Sequence, residues 1–219
     1  MNNFINNKFD VLRGILKSDY CELFSEYFKN KKQSYDTMLK ATFISEFQDE
    51  FGTKTDAQVP GAFSSYGDIM MDMLLVNFKP IMEKATGLNL VPNYSYARIY
   101  KKGHILKKHK DRLSCEISTT LNLGGDPWPI YVEPDSSLGE HNKNGIYVPS
   151  NSKGMEINLN PGDMLIYRGI ESEHWREPFE GNECVQVFLH YNDVNNSHGV
   201  PYDGRPHLGL PSWFKKNGK

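Results

Sequence analysis

The sequence lacks the features that mark a membrane, secreted or disulfide-rich protein. No run of apolar residues among its 219 residues is long enough to span a bilayer. The N-terminal segment MNNFINNKFD has no apolar stretch typical of a secretory signal. Its three cysteines are widely spaced and form no CxxC pair, so no disulfide framework is predicted. We therefore expect a cytoplasmic protein that does not contact a membrane.

The sequence also lacks a strong charge of either sign. The formal net charge is −2, which argues against a nucleic-acid-binding protein. Residues 101–112 form a basic run that could steer an acidic substrate, although solvated lysines beside a strand explain it equally well. The length suits a single domain, and the oligomeric state stays open.

Residues 1–90 carry mostly helical patterns and predict a helical N-terminal layer. A Ser-Asp start signal opens residues 18–30, where aromatic and aliphatic residues recur at helical spacing. A second helix is predicted over about 36–50. Residues 52–68 contain glycine and proline and predict a loop.

A third helix is predicted over about 66–86. Its apolar side is expected to include Ile69, Met73 and Val76. Pro80 is expected to kink or break this helix, and Gly87 is a suitable residue to end it.

Residues 91–192 change to short segments rich in β-branched and aromatic residues, separated by turns. Such spacing is typical of a sandwich or barrel of antiparallel strands. We predict a mainly β, α+β fold, a double-stranded β-helix (jelly roll) with the N-terminal helices packed on one sheet. Residues 193–219 predict a C-terminal loop or tail, which either packs over the barrel or orders with substrate. The predicted strands are 94–100, 115–123, 129–133, 145–149, 155–159, 163–168 and 184–191.

A His-x-Asp pair, His109 and Asp111, and a distant His174 form the most informative pattern in the chain. Alternate residues of a strand point the same way, so His109 and Asp111 can converge on one ion. Two imidazoles and a carboxylate can occupy one face of an octahedral Fe(II) and leave the other face open. The pattern therefore predicts an iron site whose third ligand is returned by an antiparallel strand.

The surroundings of this pattern resemble the Fe(II)/2-oxoglutarate-dependent dioxygenases, most nearly the prolyl 4-hydroxylase branch. In that superfamily a tyrosine, a glycine turn and an apolar residue precede the His-x-Asp pair, as Tyr100, Gly103 and Leu106 do here. The segment PGDMLIY at 161–167, ahead of His174, is similar to the turn and strand that lead to the distal ligand. The resemblance covers roughly residues 90–192. It implies Fe(II) and 2-oxoglutarate as cofactors, with ascorbate as a candidate reductant.

One position departs from the prolyl hydroxylase pattern. A basic residue about nine or ten positions past the distal histidine holds the far carboxylate of 2-oxoglutarate in that branch, and Glu183 and Cys184 stand there in this chain. A buried carboxylate needs a cationic partner. Arg176 is the first candidate, with the Tyr100 hydroxyl as a second contact, and Arg98 is the other. Each candidate has an alternative role. Arg176 could form a surface ion pair, Tyr100 could be a core residue of its strand, and Arg98 could contact an acidic group of the substrate.

Three residues are candidates for the substrate pocket. Alternation along 184–191 sends the aliphatic residues to one face and Gln186 and His190 to the other, towards the barrel mouth. A structural histidine is the alternative for His190. Trp128 could belong to an aromatic rim for an extended peptide, or to the core.

The resemblance implies an enzyme that hydroxylates an aliphatic C–H bond, with a prolyl residue of a peptide or protein as the first substrate. Hydroxylation of another residue or of a free small molecule is the alternative, because loops decide the substrate. An open groove beside the metal would favour a peptide, and a closed pocket a small molecule. A non-catalytic jelly-roll module that retains a metal is the alternative from another class.

Overall fold

A computed structural model describes residues 3–196 and 200–215 of the chain. The three helices are α1 (Asn3–Asn7), α2 (Ser18–Lys40) and α3 (Ile69–Thr86). The strands are β1 (Phe9–Leu12), β2 (Phe63–Tyr66), β3 (Leu90–Lys101), β4 (Leu106–His109), β5 (Ile117–Gly125), β6 (Ile130–Glu133), β7 (Glu140–His141), β8 (Tyr147–Val148), β9 (Met155–Ile157), β10 (Met164–Arg168), β11 (Glu173–Arg176) and β12 (Glu183–Asp193).

The strands form two antiparallel sheets that face each other, together with the small hairpin β7–β8. The larger sheet has the order β1-β10-β5-β12-β3-β2, and the smaller one β4-β11-β6-β9. This is the predicted jelly roll, an α+β fold that is mainly β. Because the chain crosses repeatedly between the two sheets from β3 to β12, residues far apart in sequence meet in the space between them.

The helices pack on the outer face of the larger sheet, as predicted. Phe28 of α2 and Leu75 of α3 share a buried cluster with Val185, Val187 and Leu189 of β12. The other face of β12 points between the sheets, as its alternation requires. Burial of the aliphatic side chains thus fixes which side chains of β12 enter the barrel.

The prediction of two helices over 18–30 and 36–50 is wrong. The structure has one continuous helix, α2, followed by an irregular connector over residues 41–62. No glycine or proline interrupts residues 18–40, so nothing in this segment opposes one uninterrupted helix. The part of the second predicted helix beyond residue 40 belongs to the connector.

The third predicted helix exists, but its faces are reversed. Ile69, Met73 and Val76 are exposed, and the face that packs on the sheet contains Met71, Leu75, Phe78 and Met82. Burial of this second stripe, at spacings of four, three and four residues, removes more large apolar side chains from water.

The ends of this helix agree with the sequence better than its middle does. Asp68 caps the N-terminus by accepting bonds from two backbone N–H groups, and Gly87 ends the helix in the left-handed region at φ 74°. Pro80 lies inside without breaking it, because a proline removes only one ladder bond when neighbouring packing holds the helix. The helix has no break at Pro80, and a kink there stays a prediction.

Two short strands from the first 90 residues were not predicted, and they extend both edges of the larger sheet. β1 pairs with β10, and β2 pairs with β3. β2 lies inside the segment 52–68 that was predicted to be a loop, so that prediction is wrong at its C-terminal end. Four residues are too few for a clear alternating pattern.

The described part of the C-terminal tail packs against the barrel. Arg205 is buried there, and it donates to Asp72 of α3 and to the carbonyl oxygen of Asn93 of β3. Of the two alternatives, the structure has the packed tail for residues 200–215. Within the described residues, no helix has the length and apolar character needed to cross a membrane.

Candidate metal centre and its pocket

His109, Asp111 and His174 converge at one end of the space between the sheets. His109 ends β4 and lies directly opposite His174 of β11 in the antiparallel register. The Nε2 atoms of both histidines lie 3.5 Å from Oδ1 of Asp111, and the two ring centres are 4.2 Å apart. The three side chains thus present one ligand atom each towards a common point.

Backbone carbonyl groups orient both imidazoles. Nδ1 of His109 donates to the carbonyl oxygen of Lys107 at 2.8 Å, and Nδ1 of His174 donates to that of Ser172 at 3.0 Å. A proton held on Nδ1 leaves the lone pair on Nε2. Such bonds from the second ring nitrogen are the usual support of metal-binding histidines.

Asp111 is held ionised and in one orientation. Burial opposes its charge, but His174 and His109 in their protonated forms outweigh that effect and hold the pKa of Asp111 well below its usual range. Ser118 donates to Oδ2 at 2.6 Å, so Oδ1 is left to face the histidines. A Cβ at position 169 would lie 2.4 Å from Oδ2, which explains why glycine is needed there. The carboxylate is therefore fixed before any ion binds.

His190, a pocket candidate, lines the pocket as the support of this serine. Its Nδ1 lies 3.0 Å from Oγ of Ser118, and its ring packs on Tyr94 with ring centres 4.5 Å apart. Burial lowers the pKa of His190 to about 4, so the ring is neutral near pH 7. A neutral ring that donates from Nδ1 lets Ser118 donate in turn to Asp111.

A second group of potential ligands shares Asp111 and adds Cys115 and His190. Burial raises the pKa of Cys115, so its sulfur is a protonated thiol rather than the thiolate that binds metals. The set of two imidazoles and one carboxylate therefore fits a divalent metal better. Nitrogen and oxygen donors with open positions suit Fe(II).

Arg176 lies deeper in the barrel, two residues beyond His174 on β11. It is 1% exposed, and it donates to the carbonyl oxygen of Trp128 and to Oγ1 of Thr120. Its Nε has no partner, and no carboxylate within the described residues forms an ion pair with it. Burial lowers the pKa of its guanidinium. A surface ion pair is excluded, and the structure contains a buried cation without an anion.

Two buried tyrosines lie near this cation and the metal centre. Tyr167 packs on the ring of His174 with ring centres 4.6 Å apart, and burial raises its pKa, so its hydroxyl remains a donor. Tyr100 is fully buried, packs edge-on against Trp128 and accepts a bond from Arg98 at 3.0 Å.

Trp128 and Gln186 do not line the pocket in the structure. Trp128 packs on the guanidinium of Arg176 at 4.9 Å. Gln186 accepts a bond from Thr120, which is itself a partner of Arg176. Both residues belong to the surroundings of this arginine and not to the mouth of the barrel. Their role as substrate contacts stays a prediction.

Arg98 faces the pocket from β3 and is already paired. Its guanidinium binds the Asp56 carboxylate, and it donates to Oε1 of Gln58 at 3.0 Å. Both partners belong to the connector 41–62, which runs across one side of the metal centre. As an anchor for a second carboxylate, Arg98 is thus less free than Arg176.

The pocket next to the metal centre has a volume of about 400 Å³. Tyrosines and arginines dominate its walls, and several of them were not singled out from the sequence. Alternation along 94–100 places Tyr94, Tyr96, Arg98 and Tyr100 on one face, so the strand pattern contained this signal. The connector residues carried none, because an irregular segment has no periodicity. The other wall residues include Tyr66, Arg112 and Phe188.

Neither a protein-family model nor a curated protein matches the chain. Solved structures do match it in fold. A prolyl-4-hydroxylase from Pseudomonas putida has a TM-score of 0.57 and 12% identity, over 88% of this chain and 96% of that one. HygX from Streptomyces hygroscopicus, crystallised with nickel, 2-oxoglutarate and hygromycin B, has a TM-score of 0.62 and 12% identity, over 98% of this chain and 94% of that one. The epimerase SnoN from nogalamycin biosynthesis, described as α-ketoglutarate-dependent, has a TM-score of 0.65 and 11% identity, over 95% of this chain and 92% of that one. At these identities the likeness establishes a shared fold.

Proposed function

We propose that this chain is an Fe(II)- and 2-oxoglutarate-dependent oxygenase that hydroxylates an aliphatic C–H bond. One observation carries the proposal: the His109–Asp111–His174 centre and the unpaired, buried Arg176 lie in the same barrel. The centre offers the ligands, and the arginine offers the cationic partner that a second, distant carboxylate requires. A ketoacid with a carboxylate at each end suits both.

The residues have separate tasks in this proposal. His109, Asp111 and His174 hold the metal through Nε2, Oδ1 and Nε2. Arg176 binds the far carboxylate of 2-oxoglutarate, because a guanidinium matches a carboxylate with two parallel bonds. Tyr100 can add a third bond, since its oxygen accepts from Arg98 and its own proton is free to donate.

Bound Fe(II) and 2-oxoglutarate supply the chemistry, in which O₂ oxidises a C–H bond while 2-oxoglutarate is converted to succinate and CO₂. The chain's contribution is placement and exclusion of water. Tyr167, Phe188 and Ile130 supply the apolar part of the pocket wall. Ascorbate is included as a reductant that keeps the metal in its ferrous form.

A prolyl residue of a peptide or protein is the first substrate to test, and a free small molecule is the second. One observation favours the second. The connector covers one side of the pocket with Asp56 and Gln58, while Asp203 of the C-terminal tail pairs with Arg112 on another. A pocket narrowed from two sides suits a compact substrate better than an extended peptide.

Succinate release from 2-oxoglutarate in the presence of Fe(II), O₂ and ascorbate tests the proposal. The wild type is expected to release succinate, and a proline-containing peptide or free L-proline is expected to raise the rate and gain one oxygen atom if it is a substrate. His174→Ala should abolish release, whereas His141→Ala, at an exposed histidine of β7, should not. Metal and 2-oxoglutarate binding without any succinate would instead identify a non-catalytic module.

A further inference from the structure

The connector 41–62 inserts a carboxylate into the metal pocket. Asp56 binds the guanidinium of Arg98, and it accepts a bond from the Tyr96 hydroxyl at 2.6 Å. Arg98 is 2% exposed, and its side chain lies over the rings of Tyr96 and Tyr100 at 5.1 and 5.5 Å. Asp56, a residue of an irregular segment, thus occupies a site made of one buried arginine and one tyrosine hydroxyl on β3.

Gln58 links this carboxylate site to the metal centre. Its Oε1 accepts a bond from Arg98 at 3.0 Å, and its Nε2 lies 2.8 Å from Nε2 of His109. Because Nδ1 of His109 carries the proton, the amide of Gln58 donates to the Nε2 lone pair. That lone pair cannot bind a metal and accept this bond at the same time.

The connector is anchored on both sides of Asp56 and Gln58. An isolated bridge between Thr53 and Ser64 ties it to β2, and the side chains of Val59 and Ala62 are buried in an apolar cluster. No helix or regular strand lies within residues 41–62. The bonds of Asp56 to Arg98 and Tyr96 and the bond from Gln58 to His109 are the polar contacts through which this segment reaches the pocket.

We propose that Arg98 and Tyr96 form a carboxylate-binding subsite beside the metal, that Asp56 occupies it as an internal stand-in, and that Gln58 caps His109 until the side chains of Asp56 and Gln58 withdraw. The ligand of this subsite is a carboxylate group. It belongs to the metal-side end of the ketoacid or to an acidic substrate, and the experiment below distinguishes the two. The inference rests on the proposed function only in that His109 binds a metal.

The arrangement couples two events that would otherwise be independent. A carboxylate that displaces Asp56 removes the oxygen that accepts from the N–H of Gln58, and a metal that takes Nε2 of His109 removes the partner of the Gln58 amide. Each ligand therefore lowers the cost of binding the other. Arg176 takes no part in this coupling, because its guanidinium has no connector residue as a partner.

Rescue by acetate tests the subsite. Asp56→Ala leaves Arg98 buried without its counter-ion and is expected to lower Tm by about 5–10 °C. Acetate, which matches the lost carboxylate, should restore part of that loss in a dose-dependent way up to about 0.1 M. Asp49→Ala, at another aspartate of the connector, should show no acetate effect. Absence of an acetate effect in Asp56→Ala would overturn the subsite.

Repeating the acetate titration with Ni(II) and 2-oxoglutarate bound identifies the natural ligand. If 2-oxoglutarate abolishes the acetate effect, its own metal-side carboxylate occupies the subsite. If the effect persists, the subsite is left for an acidic substrate. Either result supports the carboxylate class and assigns its source.

Nickel affinity, measured by calorimetry without any turnover, tests the cap. Gln58→Ala should bind Ni(II) about five-fold more tightly, the effect of removing one competing hydrogen bond. Gln48→Ala, at an exposed glutamine of the same connector, should bind as the wild type does. Unchanged or weaker binding by Gln58→Ala overturns the cap, and weaker binding would make Gln58 a ligand. Failure of the wild type to bind Ni(II) at all would instead refute the proposed function.

Discussion

Replacement of Arg176 by methionine should separate stability from co-substrate binding. In the ligand-free protein this arginine is 1% exposed, has no anionic partner among the described residues and leaves Nε without a hydrogen bond. Burial of a charge costs several kcal/mol even after relaxation. Its bonds to the Trp128 carbonyl oxygen and Thr120, and its contact with the Trp128 ring, return a similar amount.

The expected change in the free energy of unfolding is therefore small. Methionine has a comparable length and removes the desolvated charge, so we expect Arg176→Met to lie within about 1.5 kcal/mol of the wild type. A paired buried arginine would lose about 3–5 kcal/mol on the same change. Loss of the carboxylate contact should weaken 2-oxoglutarate binding by about 2–5 kcal/mol, or roughly 30-fold to several thousand-fold.

Thermal denaturation with and without Ni(II) and 2-oxoglutarate measures both the stability of the variant and its binding of 2-oxoglutarate. The wild type should gain stability when 2-oxoglutarate is added, and Arg176→Met should keep the ligand-free Tm and lose the gain. Arg168→Met, at a partly exposed arginine of β10 that pairs with Glu171, should retain the gain. A large loss of stability in Arg176→Met together with undiminished 2-oxoglutarate binding would refute the reasoning.

Three further predictions concern the supports of the site and fold. Ser118→Ala should weaken metal affinity about 10- to 100-fold, because Asp111 loses the bond to Oδ2; equal Ni(II) affinity in calorimetry would contradict this. Gly162→Ala should destabilise the protein by roughly 2–4 kcal/mol in urea denaturation, since φ is 89° and the new Cβ would lie 2.2 Å from a backbone oxygen. Burial raises the pKa of Asp163, but bonds from Arg13 and two backbone N–H groups outweigh it and lower the pKa. Its stabilising effect is present above the unfolded pKa and is lost as pH falls below about 4, so Asp163→Asn should lose less stability over that range, and an unchanged acid profile would contradict it.

The features of the fold that depend on local sequence patterns were predicted from the sequence. The alternation in 184–191 and 94–100 was sufficient to place strands, and it also indicated which side chains of β12 face the barrel. The convergence of His109 with His174 followed from antiparallel pairing. The jelly roll was predicted because short strands at this spacing have few other ways to bury both their faces.

The errors arose where tertiary packing overrides local preference. The exposed stripe of Ile69, Met73 and Val76 is apolar, and only the sheet below α3 decides that the neighbouring stripe is buried instead. β1 and β2 are too short to show a period, and pairing with β10 and β3 creates them. Asp56 and Gln58 could not be found, because their partners Arg98 and His109 are about 40 to 50 residues away along the chain.

Two buried arginines of the barrel differ in their partners. Arg176 has no carboxylate partner among the described residues, whereas Arg98 pairs with Asp56 and lines the pocket beside the connector. In the proposed function, this difference favours Arg176 as the partner of the ketoacid's far carboxylate. Arg98 is then the proposed point where Asp56 and the carboxylate of a ligand compete.

A structure of the protein crystallised with Ni(II) and 2-oxoglutarate tests the central claim most directly. We expect one ion held by Nε2 of His109, Oδ1 of Asp111 and Nε2 of His174, with the far carboxylate of 2-oxoglutarate on the guanidinium of Arg176. An ion held instead by Asp111, Cys115 and His190, or a 2-oxoglutarate molecule that does not reach Arg176, would contradict it.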